Sequence, residues 1–285
     1  MSRTLVIAEP GCTHEGNKQK LLSLIDAAAW CRADVFKPQW VSDVGPMLRQ
    51  RHFRDDASVP ALDAQRFANA ADEYAYYQRA YEWLAFPVEW HIDFQRECSR
   101  QGLQYAVSVF LAQDVVRVAP LADYLKVSSF EKRDAQLLRA CLDSRRPTIV
   151  STGMADGPDV TYLYDLKRES GYMWHLLACT SAYPAPLDQM NIYAIEAERL
   201  DGLSDHSRNL IAGTVAVCCG AEVVETHFRL EDCDPENPDY PVAFTPAEFR
   251  QYIQNIRDAE TMLGDGVKRI QDCERPMLPY RVRSE

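Results

Sequence analysis

Short β-branched or apolar runs alternate with longer amphipathic stretches from one end of this chain to the other, and no Ser/Gly-rich linker interrupts them. That alternation constrains the fold more than any other feature, because strand and helix repeating in turn is the pattern of βα units around a parallel sheet. The strand-like runs are residues 5–9, 34–39, 104–110, 124–128, 148–151, 174–179, 202–205 and 222–227. Eight of them predict an α/β fold closed as a single-domain (β/α)8 TIM barrel. Helical stretches fit between: residues 18–32 carry Leu21, Leu22, Ile25, Ala28 and Ala29 at helical spacing, and 246–263 carry Phe249, Tyr252, Ile253 and Ile256. The barrel is expected to occupy residues 1–266, followed by a short tail, 267–285, that ends with Arg281, Arg283, Ser284 and Glu285.

One stretch breaks the rhythm. Residues 40–88, with Arg49, Arg51, Arg54 and the aromatic run from Tyr74 to Trp83, read as a long loop after the second strand with a short helix of its own. On a barrel such a loop lies at the catalytic face, so it is expected to be either a lid or a stabilising flap.

Composition narrows the functional classes. A formal charge of −11 argues against sequence-independent binding to nucleic acid or to an anionic membrane. Glu9 falls too soon after Leu5 for a signal-peptide core, and no apolar run approaches the roughly 20 residues of a membrane span. The nine cysteines include no CxxC pair, so free thiols in a reducing, cytoplasmic compartment are expected.

In a barrel, polar groups at the C-terminal strand ends share one cavity. Nearly every predicted strand supplies one: Glu9, Lys37 with Gln39, Ser108, Lys126 with Ser129 and Glu131, Ser151 with Thr152, Thr180 with Ser181 and Tyr183, Ser204 with Asp205 and His206, and Glu225 with His227. A lone strand-end Lys usually carries its charge into water. Two inward-facing ones could cancel a phosphate and a carboxylate together, with the hydroxyls of Ser108, Ser129, Ser151 and Ser204 completing an oxyanion cradle. A lone His is usually structural. His206 and His227 end consecutive strands, however, and two imidazoles beside Glu9 and Glu225 suit a divalent ion such as Mn²⁺ or Zn²⁺. His14, His52, His91 and His175 show no comparable pairing.

In order, the strand-end segments read IAEPGCTHEG (7–16), ADVFKPQ (33–39), YLKVSSFE (124–131), IVSTGMA (149–155), LLACTSAYPAP (176–186), GLSDHS (202–207) and VETHF (224–228). Together they resemble the sialic acid synthase family, from about residue 5 to the GDGVK segment at 264–268. The resemblance implies a (β/α)8 barrel that condenses phosphoenolpyruvate with an aldehyde-bearing sugar in a metal-assisted, aldol-type reaction, releasing phosphate. It implies that Lys37, Ser108, Lys126, Ser129, Ser151 and Ser204 bind phosphoenolpyruvate, with Ser181 as a further contact. Glu9, Lys37 and Lys126 would be catalytic. His206 and His227 would hold a divalent metal, Mn²⁺ before Mg²⁺, Co²⁺ or Zn²⁺, while Gln39, Glu131, Tyr183 and Asp239 would face the acceptor. A homodimer is the family expectation.

Several positions depart from the family pattern. Ala178 stands where the family has His in LLHCT, Glu236 to Asp239 replace a PGPD turn, and Ser108 and Val109 stand for a more common Thr and Pro. The family's C-terminal antifreeze-like domain, which supplies an arginine to the acceptor, has no counterpart in these residues. Phosphoenolpyruvate handling is therefore expected to be intact and the acceptor side rebuilt. Two other readings stay open: a non-catalytic or partner-dependent barrel subunit, and an aldolase forming a Schiff base on Lys37 or Lys126.

Overall fold

The computed structural model describes residues 3–171 and 173–282; Arg283, Ser284 and Glu285 of the expected tail lie outside them. In chain order the elements are β1 (Leu5–Gly11), α1 (Lys18–Cys31), β2 (Val35–Trp40), α2 (Val44–Gln50), α3 (Ala70–Glu82), α4 (Trp90–Gln101), β3 (Gln104–Val109), α5 (Ala112–Val118) and β4 (Tyr124–Val127). They continue with α6 (Ala135–Asp143), β5 (Thr148–Ser151), α7 (Gly157–Glu169), β6 (Trp174–Cys179), α8 (Ala194–Ala197), β7 (Gly202–Asp205), α9 (Ala212–Cys218), β8 (Val223–His227) and α10 (Pro246–Leu263). The eight strands pair in parallel, each with its sequence neighbour, and β8 closes onto β1 through Leu5–Val223 to Glu9–His227. This is the (β/α)8 barrel that the alternation predicts.

Local signals explain where helices begin. α10 starts with Thr245 and Glu248 in a capping box and Pro at its first position, and α7 repeats the device with Asp156 and Asp159. The long segment between β2 and α4 folds further than expected, into two helices rather than one. Asp43 caps α2 and Asn69 caps α3, each side chain accepting a backbone N–H.

Two apolar layers hold the barrel. The larger lies between strands and helices and includes Leu21, Phe36, Phe94, Leu137, Trp174 and Phe249. The smaller plugs the inside of the barrel with Ile7, Val35, Ala106, Ile149, Leu177 and Val223. Because successive strand residues face opposite ways, the residue two places on from each plug member also faces inward. Those residues are Glu9, Lys37, Ser108, Ser151, Cys179 and Glu225, and on β4 and β7 the equivalent steps from Tyr124 and Gly202 reach Lys126 and Ser204. A polar tier therefore rests directly on an apolar floor.

The opposite, N-terminal rim is laced by aspartates placed just before a strand. Asp34 accepts the N–H of Val6 (2.9 Å), Asp123 that of Tyr105 (2.8 Å) and Asp201 that of Leu176 (2.6 Å), each reaching back to the preceding strand. Arg257 of α10 ties Asp34 to the helical layer (2.6 Å). After Gly264 the chain runs exposed, with a 3-10 stretch at Asp272–Tyr280 that buries nothing. Among the described residues no helix is long and apolar enough to cross a membrane.

The rim aspartates generate a stability prediction. Asp201→Ala leaves the Leu176 N–H and the Lys167 ammonium, now 2.5 Å from Asp201, without their acceptor. It is expected to cost about 1–3 kcal/mol in denaturant titration. Asp143→Ala, which breaks only an exposed pair with Arg139, should cost under about 0.5 kcal/mol. Equal effects would mean that the rim contacts do not brace the barrel.

Candidate active site

The polar tier is built around Lys37. Its ammonium donates to Ser108 Oγ (2.6 Å), meets the Glu9 carboxylate and lies 2.9 Å from Glu225 Oε1. Lys126 approaches the other oxygen of Glu225 at 3.6 Å, and Ser204 donates to that same oxygen at 2.8 Å. Distant segments thus bring both lysines onto one carboxylate. Burial pulls Lys37 down to about 8, against the upward pull of Glu225 and with a further downward push from Lys126. Burial alone would raise the Glu225 carboxyl, but Lys126, Lys37 and the Ser204 hydroxyl hold it well below the usual range, so it is an anion.

Beside this network is a cradle of small donors. Gly153 donates its N–H to Ser129 Oγ (3.0 Å), and a Cβ at Gly153 would fall 2.2 Å from Ser181 Oγ and 2.7 Å from Ser129 Oγ. Only glycine leaves these hydroxyls room. Ser151 Oγ and Ser181 Oγ are buried without a hydrogen-bond partner. Unpaired buried hydroxyls are costly, so the two point to a polar ligand that completes them.

His206 and His227 end β7 and β8 region by region as the sequence suggests, with ring centroids 5.4 Å apart. His206 Nδ1 is 3.1 Å from the Thr180 carbonyl, which orients the ring and leaves Nε2 as the ligating nitrogen. His227 Nδ1 is buried without a hydrogen-bond partner, 3.7 Å from Asp239 Oδ1. Burial lowers His227 to about 4, so it is neutral near pH 7. Burial also pulls His206 down, but Cys179, the Thr180 carbonyl and Glu225 outweigh it and leave it above its ordinary value. Two adjacent imidazoles, one with an orphaned nitrogen, fit a divalent ion of borderline softness. A different group, His175, Asp201 and Glu222, also has ligand atoms within 4.8 Å of one another, but on the N-terminal rim. There Asp201 is already engaged by Lys167 and the Leu176 N–H.

Above the tier opens a cavity of about 980 Å³. Gln39, Tyr183, His227 and Asp239 line its inner part, and Glu131 lies further out. Gln39 donates to Glu9 (2.9 Å), and the Tyr183 ring packs against His206 with centroids 4.3 Å apart and planes tilted by 32°. Asp239 is seated by the Cys12 N–H on its Oδ2 (2.7 Å), while Asn237 holds both Cys12 and the Asp239 N–H. Gly11, at φ +52°, makes this possible, because a Cβ there would lie 2.0 Å from Asp239 Oδ2. Glu131 is less free than expected: its carboxylate is taken by Arg51 at 2.5 Å and by the Ser128 hydroxyl.

Sequence reasoning left four of these residues without a role. Glu225 was noted only as an acid near the histidines, yet it bridges both lysines. Cys179 completes the tier on β6, with Sγ 3.7 Å from His206 Nδ1; the two-residue step from Leu177 is a signal that could have found it. Gly153 sits inside the STGMA segment. Arg51 lies in the long loop, and nothing in its local sequence points to Glu131.

Comparison with known proteins matches the NeuB family to residues 24–268. The pseudaminic acid synthase of Campylobacter jejuni subsp. jejuni serotype O:23/36 is 31% identical over 276 residues, 93% of this chain and 76% of that protein. The N,N'-diacetyllegionaminic acid synthase of Legionella pneumophila is also 31% identical, over 98% of this chain and 78% of its own length. Among solved structures, the N-acetylneuraminic acid synthetase of Leptospira borgpetersenii superposes with a TM-score of 0.80 at 22% identity, covering 98% of this chain and 92% of that one. At that identity the superposition speaks for the fold, while the two synthases and the family match speak for descent. On these grounds the chain belongs to the NeuB family and is a synthase.

Proposed function

We propose that this enzyme joins carbon 3 of phosphoenolpyruvate to the aldehyde carbon of a sugar or sugar-like acceptor, giving an α-keto acid sugar and inorganic phosphate. The observation that carries the reading is the meeting of Lys37 and Lys126 on Glu225 beside the unpartnered hydroxyls of Ser151 and Ser181. The two ammonium groups and the hydroxyls suit a small ligand bearing both a phosphate and a carboxylate. Ser108 and Ser129, which accept from Lys37 and the Gly153 N–H, keep their own hydroxyl hydrogens to donate, while Ser204 positions Glu225.

Electrostatics supports a metal partner for the same hollow. Glu9 and Glu225 offset Lys37 and Lys126, so the tier alone has little net charge to offer an anion. His206 and His227 would hold a divalent ion, Mn²⁺ by preference, which would supply positive charge and polarise the acceptor's carbonyl oxygen. Gln39, Tyr183 and Asp239 orient the acceptor so that its carbon faces the nucleophile. Attack by carbon 3 forms the new C–C bond and leaves a cationic centre at carbon 2. Glu9, 2.9 Å from Gln39 and against Lys37, stabilises that charge and takes a proton from the water that adds there. Collapse of the adduct breaks the bond between carbon 2 and the phosphate-bearing oxygen, and the hydroxyl cradle receives the departing phosphate.

Three outcomes test this. Enzyme, Mn²⁺, phosphoenolpyruvate and a panel of sugar aldehydes should release phosphate, and EDTA should stop the release until Mn²⁺ is restored; no release across a broad panel would end the reading. Activity that survives EDTA, with borohydride trapping a pyruvate adduct, would move the assignment to a Schiff-base aldolase. Gly153→Ala pushes a methyl into Ser181 and Ser129 and should lower kcat/KM for phosphoenolpyruvate at least about tenfold with an unchanged circular dichroism spectrum, since cradle donors act on the bound anion. Lys37 carries its proton below about 8, so kcat/KM for phosphoenolpyruvate should fall as pH rises through that value towards the ordinary lysine range. A profile flat to pH 10 would remove Lys37 from anion binding.

A further inference from the structure

The outer half of the large cavity is not required by the reaction just proposed. The inner half is bounded by Tyr183, His227, Asp239 and Gln39, the last of which donates to Glu9 of the polar tier. From there the space runs outward under the segment between β2 and α4, past Glu131 and Arg51, to Phe53, Leu62, Tyr77 and Tyr81. At about 980 Å³ it stands at the upper end of small-molecule sites, about 300–1,000 Å³.

The outer wall is aromatic and rigid. Phe53 stacks on Tyr77 at 4.6 Å with the rings 15° apart, and Tyr77 packs against Tyr81 at 6.0 Å. Phe130 faces them from the barrel side and carries the Arg51 guanidinium 4.2 Å from its ring centroid. Every guanidinium on the wall is engaged. Arg51 pairs with Glu131 at 2.5 Å, Arg133 pairs with Asp159, and Arg66 lies 4.3 Å over Tyr76 while donating to its hydroxyl. Of the three arginines, Arg51 and Arg133 are matched by Glu131 and Asp159, and Asp134 adds a further carboxylate to the outer lining. A phosphate placed here would find only Arg66 without a carboxylate partner, an exposed guanidinium already held on Tyr76, and would sit beside Glu131 and Asp134. An uncharged apolar or aromatic group would instead replace water against stacked rings.

We propose that this outer chamber binds an uncharged, apolar substituent that the acceptor carries remote from its aldehyde, and that it disfavours a phosphorylated acceptor. The inference rests on the synthase reading for the orientation of the acceptor, aldehyde inward. It does not rest on it for the chemistry of the chamber, which follows from the wall itself. The segment from α2 to α3 is then the part of the chain that sets acceptor choice.

The test uses unreactive probes. N-acetylmannosaminitol, which lacks the aldehyde, is prepared with 6-O-methyl, 6-O-butyl, 6-O-benzyl and 6-phosphate substituents, and each is titrated calorimetrically into the enzyme. Affinity should rise at least tenfold from methyl to benzyl, with the 6-phosphate weakest. Leu62→Asp puts a charge on the chamber wall at a side chain already 67% exposed, so folding is not at stake. It should abolish the benzyl preference and leave the methyl compound's affinity unchanged. Equal affinities along the series, tightest binding by the 6-phosphate, or a benzyl preference that survives Leu62→Asp would each overturn the proposal. Because the alditols cannot react, graded binding without phosphate release from the aldehydes would keep the chamber and remove the reaction. Release with flat binding would do the reverse.

Discussion

A carboxylate held between two buried ammonium groups is the constraint from which the rest of this molecule follows. Removing a charge from water costs several kcal/mol even after relaxation, and the expense is offset only where partners are close and every remaining donor and acceptor is met. Glu225 is held by Lys37, Lys126 and Ser204, each on a different strand. The charges stay together only if four strands keep their register. The apolar plug beneath and the aspartate clamps on the far rim are what keep it. Stability and chemistry are thus divided between the two ends of the barrel, with the plug as the boundary.

Much of this was legible in the chain. Strand positions were readable to within two residues at either end, because apolar runs are short and bounded and several intervening helices, α1, α6, α7 and α10 among them, begin at side-chain caps. The candidate residues at strand ends were legible for a related reason: a polar side chain closing an apolar strand has few places to go except the cavity. Lys37, Ser108, Lys126, Ser151 and Ser204 all fall on the inward face for that reason, and His206 and His227 meet because their strands are neighbours.

What stayed hidden depends on contacts through space. Glu225 could be seen as an acid but not as the bridge, since its partners lie on β2, β4 and β7. Arg51 meets Glu131 across a loop whose path no local pattern dictates, and this pairing turns a residue expected to face the acceptor into part of a wall. Two helices formed where one was expected because Asp43 and Asn69 act as caps in a stretch dominated by aromatic and charged residues. His175, with no partner visible in the sequence, gathers with Asp201 and Glu222 only because β6, β7 and β8 begin side by side.

Gly11 and Asp239 lie at opposite ends of the chain, yet neither can be seated without the other: the carboxylate occupies the space where any side chain at position 11 would be, and it accepts the next backbone N–H. β1 also finds one of its two neighbours only in β8. A growing polypeptide emerging from the ribosome therefore holds its first strand unfinished until β8 has been made. A chain that ends before residue 239 lacks the carboxylate that seats Gly11 and Cys12 at the mouth of the cavity.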